Sequence, residues 1–354
     1  MKSIYLKILD LLPSDSPLVL ATVTGTRGST PQKAGCSALF GTTGLISGTV
    51  GGGIVEGKVQ KIAAEAILSK NSGLYDFDLA FDISNTEEAI CGGKISVLVD
   101  ATILNSVTVL EQLKDSLAKR IPGVMITLVK CFTETQLTID RHWISETVTP
   151  AITGGLFARL KPEVSKLIAE KNPAGFIQIE TERTAEEPAT LIFLQPFFPP
   201  DQLIIAGAGH IGRALAHLGS LLDFEVTVID DRSDFANKVN IPDADHIIVK
   251  DIGEAVNELV KGDNTYVVIV TRGHKDDASA LRSCIGKNLA YAGMIGSKNK
   301  VSAIKANFIE NGWTTNDQWD QIHAPVGLPI KSQTVEEIAV SIAAELVLVR
   351  NSKR

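Results

Sequence analysis

The sequence predicts an α/β protein: an N-terminal α+β domain followed by a C-terminal domain built on a doubly wound parallel sheet. Three observations lead there. The run Gly207-Ala208-Gly209-His210-Ile211-Gly212 stands between an apolar strand and a helical stretch. Strand and helix patterns alternate regularly beyond it, as a parallel sheet covered on both faces requires. A Pro-rich stretch over 196–201 divides this part from a first part with a different rhythm. Together they make the C-terminal domain Rossmann-type and set the expected domains at 1–195 and 202–354, joined by a linker that prolines stiffen and keep out of a sheet interior.

The elements follow in chain order. The start, MKSIYLKILDLLPSDSP, has an apolar stripe broken by Tyr5, Lys7 and Asp10, which suits a short amphipathic helix rather than a secretory segment. Leu18–Thr24 is an apolar, β-branched strand followed by the turn composition GTRGSTP. Leu45–Val50 is a second strand that runs into Gly51-Gly52-Gly53. The stretch Ile54–Leu68 then places Val55, Val59, Ile62, Ala63, Ala66 and Ile67 on one helical face. Cys91-Gly92-Gly93 is a tight turn before the strand Ile95–Val99. A helix over Ser106–Lys119 precedes the β-rich segments GVMITLVKCF, QLTIDRHWI, AGFIQIETE and TLIFLQPF. In the last part, strands are expected at Leu203–Ala206, Glu225–Ile229, His246–Val249, Tyr266–Val270 and Ala290–Ile295, with a closing helix at Val335–Val349.

Composition narrows the function classes. With 354 residues the chain can bury a core without disulfides or metals. A net charge of −7 and no basic stripe argue against nucleic acid and against an anionic membrane surface. No apolar stretch approaches the ~18 residues of a membrane span. The four cysteines, Cys36, Cys91, Cys131 and Cys284, lie far apart without a CxxC pair, which predicts a cytoplasmic protein with free thiols and no metal cluster.

The glycine run at Gly207, Gly209 and Gly212 permits a tight turn and brings a pyrophosphate up to the helix N-terminus, where His210 sits. Asp230 lies about 20 residues on, where a carboxylate accepts bonds from ribose hydroxyls, so NAD(P) or another nucleotide is the expected ligand. A scaffold that has lost or changed its ligand is the alternative. Thr271–Asp277 follows a buried strand at the ligand-bearing edge, making His274 and Asp277 a candidate pair; His274 bracing its own loop explains the pattern equally well. The loops Gly293–Lys298, with Gly296, Ser297 and Lys298, and His323–Gly327 offer backbone donors and a cation to an anion, but turn chemistry is the better explanation of each taken alone.

In the first part, Gly51, Gly52 and Gly53 before a helix form an anion-binding nest, with Glu56 in the first helical turn. The match of Gly52–Lys58 to GxxxxGK fails at Val59, where a P-loop needs a hydroxyl for magnesium, so ATPase chemistry is not expected. Cys91 is the candidate reactive thiol because its glycine neighbours leave sulfur accessible; Cys36, near Arg27 and Lys33, comes next. On residue chemistry alone, a lone cysteine is more often a small buried hydrophobe.

These motifs taken together resemble the XdhC/CoxI family of molybdenum-enzyme maturation factors. The resemblance rests on Thr26–Pro31, Gly48–Gly53 with Glu56, Cys91–Gly93, Gly207–Gly212, Asp230-Asp231-Arg232, His274 with Asp277, Gly293–Lys298, His323–Leu328 and the helix Glu336–Glu345. Residues 101–195 carry little of it. It implies a chaperone that binds molybdenum cofactor (molybdopterin) as cargo, protects it during sulfuration by a cysteine desulfurase, and delivers it to xanthine dehydrogenase or a related molybdenum hydroxylase. A homodimer is expected on general grounds. Many relatives on the CoxI side have a cysteine where this chain has Ile54, which leaves Cys91 as the expected contact to molybdenum, thiolate being a soft ligand. The chain is too short, and too poor in clustered cysteines, to be a complete xanthine dehydrogenase. Two other classes compete: an NAD(H)-dependent oxidoreductase with His274 as acid or base, and a nucleotide-sensing interaction module that binds without turnover.

Overall fold

The computed structural model describes residues 4–14, 16–79, 92–132, 137–149, 152, 155–172, 174–181 and 189–352. The chain divides into two compact units, Lys2–Pro199 and Pro200–Arg354.

The first unit holds two antiparallel sheets. One has strands β1 (Val19–Arg27), β2 (Ser37–Gly41), β3 (Gly44–Gly48), β4 (Gly73–Asp78) and β5 (Lys94–Asp100), in the order β3-β2-β1-β5-β4. Helix α1 (Ile4–Leu11) precedes them, and α2 (Gly53–Ser69) lies between β3 and β4. The other sheet has β6 (Gly123–Cys131), β7 (Leu137–Ser145), β8 (Ile177–Thr181) and β9 (Thr190–Phe197), in the order β7-β6-β9-β8. Two more helices, α3 (Val107–Ala118) and α4 (Leu156–Ala169), complete the unit. Central strand β1 is buried on both faces. Val19, Ala21 and Val23 meet Val55, Val59 and Ala63 of α2, while Leu20 on the opposite face joins Ile8, Leu113, Met125 and Trp143. Helix α4 covers β6 and β9 through Leu160, Val164 and Leu167.

The second unit has the predicted parallel sheet. Its strands are β10 (Gln202–Ala206), β11 (Glu225–Asp230), β12 (His246–Val249), β13 (Thr265–Ile269) and β14 (Tyr291–Met294), in the order β12-β11-β10-β13-β14. Helices α5 (His210–Leu221) and α10 (Val335–Ser352) pack on one face, burying Leu215, Ala216, Ile342 and Leu346 against Leu203, Ile205, Val226 and Val228. On the other face lie α6 (Ile252–Leu259), α7 (His274–Cys284) and α8 (Lys298–Glu310); the short α9 (Asn316–Trp319) buries Trp319 there. Winding reverses between β10 and β13, which opens a crevice at the carboxyl ends of those strands, the general ligand position of such sheets.

Candidate functional site

In the second unit, the three glycines of the turn after β10 have different reasons to be glycine. Gly207 has φ 120°, and its N–H donates to Ile229 O at 2.8 Å, tying the turn to β11. A methyl on Gly212 would overlap the Gly207 carbonyl, so α5 can start this close to β10 only without one. A methyl on Gly209 would meet nothing within 4 Å. Gly209 caps α5 with no side-chain bond, leaving first-turn N–H groups facing open space where an anion can approach. His210 is exposed at that turn and, with Arg213, lines a cavity of about 390 Å³ shared with Asn240, Asp243 and Glu336.

Asp230 ends β11 where the spacing predicts, but its carboxylate is occupied. Oδ2 accepts from Ala208 N–H at 2.8 Å and Arg232 Nη2 at 2.9 Å; Oδ1 accepts from Arg232 Nε at 2.8 Å and Arg232 N–H at 3.1 Å. Burial alone raises its pKa, but the Arg232 fork and the two backbone donors outweigh that and hold it at about 2. These four bonds fill the ~four lone-pair sites of a carboxylate, so a ribose diol finds no free acceptor here. The glycine turn thus fits a nucleotide pyrophosphate, and Asp230 in this arrangement does not fit its ribose. Asp230 positions Arg232, whose guanidinium lies 3.8 Å over the Phe235 ring; neighbouring Asp231 bonds Arg272 at 3.1 Å.

The structure does not join His274 to Asp277. His274 is exposed at the start of α7, and its side chain makes no hydrogen bond among the described residues. Asp277 is fully buried; it accepts from Thr271 Oγ1 at 2.7 Å and forms an ion pair with Lys300. Ser297 caps α8, accepting from Lys300 N–H at 3.3 Å, and Lys298 is exposed beside it. Lys300, half-buried, is the cation that meets the buried Asp277, and a lysine on a helix face gives no sequence signal of that. A methyl on Gly296 would come within 3.1 Å of the Lys300 stem, so the glycine leaves room for the lysine to reach Asp277.

The His323–Leu328 loop is fastened to α10. Glu345 accepts from His323 Nδ1 at 3.0 Å, from Gly327 N–H at 2.7 Å and from Tyr291 OH, while the Tyr291 and His323 rings stack at 4.4 Å. Burial raises the Glu345 pKa, but the His323, Tyr291 and Gly327 donors more than offset it and leave it below the ordinary glutamate value.

In the first unit, three separated motifs converge. Antiparallel pairing sets Arg27 opposite Lys94, which carries Gly92-Gly93 onto the loop after β1. A methyl on Gly93 would overlap Ser29 O, and one on Gly28 would lie 3.2 Å from Gly93 Cα. A methyl on Gly51 would lie 2.9 Å from Pro31 Cγ. Gly51, Gly52 and Gly53 have φ of 138°, 66° and 50°, a run that only glycine adopts readily. Glu56 faces this turn from within: its Oε2 accepts from Thr49 Oγ1 at 2.7 Å and Val50 N–H at 3.4 Å. Cys91 lies outside the described residues. Cys36 is half-buried on the wall of a cavity of about 530 Å³. Among the described residues no three His, Cys, Asp or Glu side chains cluster to hold a metal, and no helix is long and apolar enough to cross a membrane.

Comparison with known proteins places both units. Residues 203–346 match the XdhC Rossmann domain, and residues 11–78 match the XdhC and CoxI family. The chain is 26% identical over 342 residues to a Bacillus subtilis (strain 168) protein named as a probable xanthine dehydrogenase subunit, covering 96% of this chain and 95% of that one. It is 23% identical over 351 residues to YqeB, an uncharacterized protein of Escherichia coli (strain K12), covering 99% of this chain but 47% of YqeB. The crystal structure of a xanthine dehydrogenase from Bacillus halodurans shares the fold with a TM-score of 0.76 and 25% identity, over 99% of this chain and 96% of that one.

Proposed function

The chain belongs to the XdhC and CoxI family, and from that premise we propose that it is a maturation factor for xanthine dehydrogenase or a related molybdenum hydroxylase. It binds the molybdenum cofactor as cargo, shelters it while a cysteine desulfurase supplies sulfur, and passes it to the apoenzyme, working in the cytoplasm as a homodimer. The observation that carries this reading is the convergence of the loops at 27–31, 51–53 and 92–93 in the first unit. Of the left-handed glycines before α2, Gly51 donates its N–H to Thr49 Oγ1, while Gly52 and Gly53 offer theirs to an anion, which suits the phosphate of a pterin cargo.

The crevice of the second unit supports a carrier or sensor over an oxidoreductase. An acid–base role for His274 has no partner in Asp277, which Thr271 and Lys300 hold. The open Gly209 turn favours a second reading, in which a nucleotide bound there without turnover controls docking to the partner enzyme.

The deciding experiment is purification from cells that make molybdenum cofactor, followed by assay for molybdenum and fluorescent pterin oxidation products. Near-stoichiometric pterin is expected. Tight NAD(H) binding with no pterin would replace the carrier reading by the sensor or oxidoreductase one, and a change in nicotinamide absorbance on turnover would separate those two.

A further inference from the structure

We propose that the pterin of the cargo seats in the first unit's cavity of about 530 Å³, with Cys36 against its metal-bearing side; this rests on the carrier reading above. The cavity lies within the ~300–1,000 Å³ range of small-molecule sites, and its walls come from residues 30–36, Ala174-Gly175 and Gln195.

The loop 30–36 is rigidly built. Val23 N–H donates to Cys36 O and Gly35 N–H donates to Val23 O, each at 2.8 Å, pinning the loop to β1. Gln195 Nε2 donates to Gly35 O at 3.1 Å, and its own Oε1 accepts from the buried Tyr5 hydroxyl at 3.4 Å. Gln195 is therefore a positioning residue.

The chemistry of the wall matches the cargo in three parts. The Gln32 amide offers its Nε2 donor to the hydrogen-bonding edge of a pterin ring, its Oε1 being engaged by Cys36. Lys33 is an exposed cation at the mouth, suited to the phosphate. Cys36 contributes sulfur, a soft ligand type that suits a thiolate-bound molybdenum centre. Its Sγ donates to Gln32 Oε1 at 3.1 Å, so the half-buried thiol, which packs against the core of the first sheet, is held in a set direction on the cavity wall. Cys284, in contrast, is packed inside the second unit, where burial pushes it up to about 12. Pro31 lines the cavity and also lies against Gly51, so the pocket adjoins the glycine turn of α2.

The test compares full-length protein from cells with and without cofactor synthesis. Iodoacetamide labelling is followed by mass spectrometry, with half-buried Cys131 and buried Cys284 as internal controls. Cargo should slow labelling of Cys36 at least about tenfold and leave Cys131 unchanged. Cys36→Ser keeps a donor to Gln32 but removes the soft ligand, and should lower retained molybdenum and pterin by about tenfold. Pterin-loaded protein with equal Cys36 labelling, and undiminished retention by Cys36→Ser, would overturn the assignment and leave the carrier reading standing. No pterin on the unaltered protein would overturn both.

Discussion

Arg232 grips Asp230 with a two-pronged hydrogen bond, Nε to Oδ1 at 2.8 Å and Nη2 to Oδ2 at 2.9 Å, at the strand end where a nucleotide-binding fold offers its acidic residue. Because folding depresses the Asp230 pKa to about 2, the associated stability is complete above the unfolded value near 4 and disappears as pH falls through about 2. It amounts to roughly 2 kcal/mol. Arg232→Ala leaves the carboxylate buried with only backbone donors, so its acid-unfolding midpoint should move to higher pH. Acid titrations of both proteins, followed by circular dichroism, measure the shift.

Lys300 and Asp277 form a pair that is expensive to break from one side. Lys300→Met leaves a fully buried carboxylate with Thr271 alone and should cost roughly 3–5 kcal/mol. Adding Asp277→Asn removes the stranded charge and should restore part of that loss. Urea unfolding of the single and double variants reads the coupling; strictly additive losses would show the pair to be independent.

Gly209 and Gly212 should separate binding from folding. Gly212→Ala pushes a methyl into the Gly207 carbonyl and is expected to destabilise the second unit by roughly 1–3 kcal/mol. Gly209→Ala adds a methyl in open space, so stability should stay within about 0.5 kcal/mol; on the nucleotide-sensor reading, nucleotide affinity should fall. Thermal melts combined with nucleotide titration distinguish the two effects.

Glu345 holds three donors, and Glu345→Ala abandons all of them. A loss of roughly 2–4 kcal/mol is expected, together with faster hydrogen exchange at the Gly327 amide, which now donates to Glu345 at 2.7 Å. As the folded pKa of Glu345 lies below its ordinary value, this contribution is present above that ordinary value and fades as pH falls below it.

Gly93→Ala tests the first unit. Its methyl would drive the 92–93 turn away from Ser29 O, so retained pterin should fall even if the protein still folds cooperatively.

Much of the second unit was legible because buried parallel strands are written as continuous apolar runs: the expected five fall within a residue of β10 to β14 at each end. The first unit hid more. Strands β2 and β4 are five and six residues long, and edge strand β4 alternates weakly between polar and apolar. Helix α4 carries Pro162 in its interior, which interrupts the local helical signal, so this helix was not foreseen. At the sites, glycines declared themselves through spacing. What they face did not, since the approach of Gly93 to Ser29 depends on long-range pairing of β1 with β5. Arg232 stood in view beside Asp230, but only geometry shows that it consumes the carboxylate.

The carboxylate of Glu56, folded back onto Thr49 and Val50, holds the turn before α2 in shape from inside the protein, and Gly51 N–H adds a bond to Thr49 Oγ1 at 3.1 Å. Three glycines would otherwise be the most freely wandering stretch of backbone in the unit. Their conformational entropy is surrendered when the domain folds, so a molecule arriving at the turn meets a finished surface and need not organise one. On the carrier reading, a ligand bound there would be selected by its fit to a turn that these bonds already hold in shape.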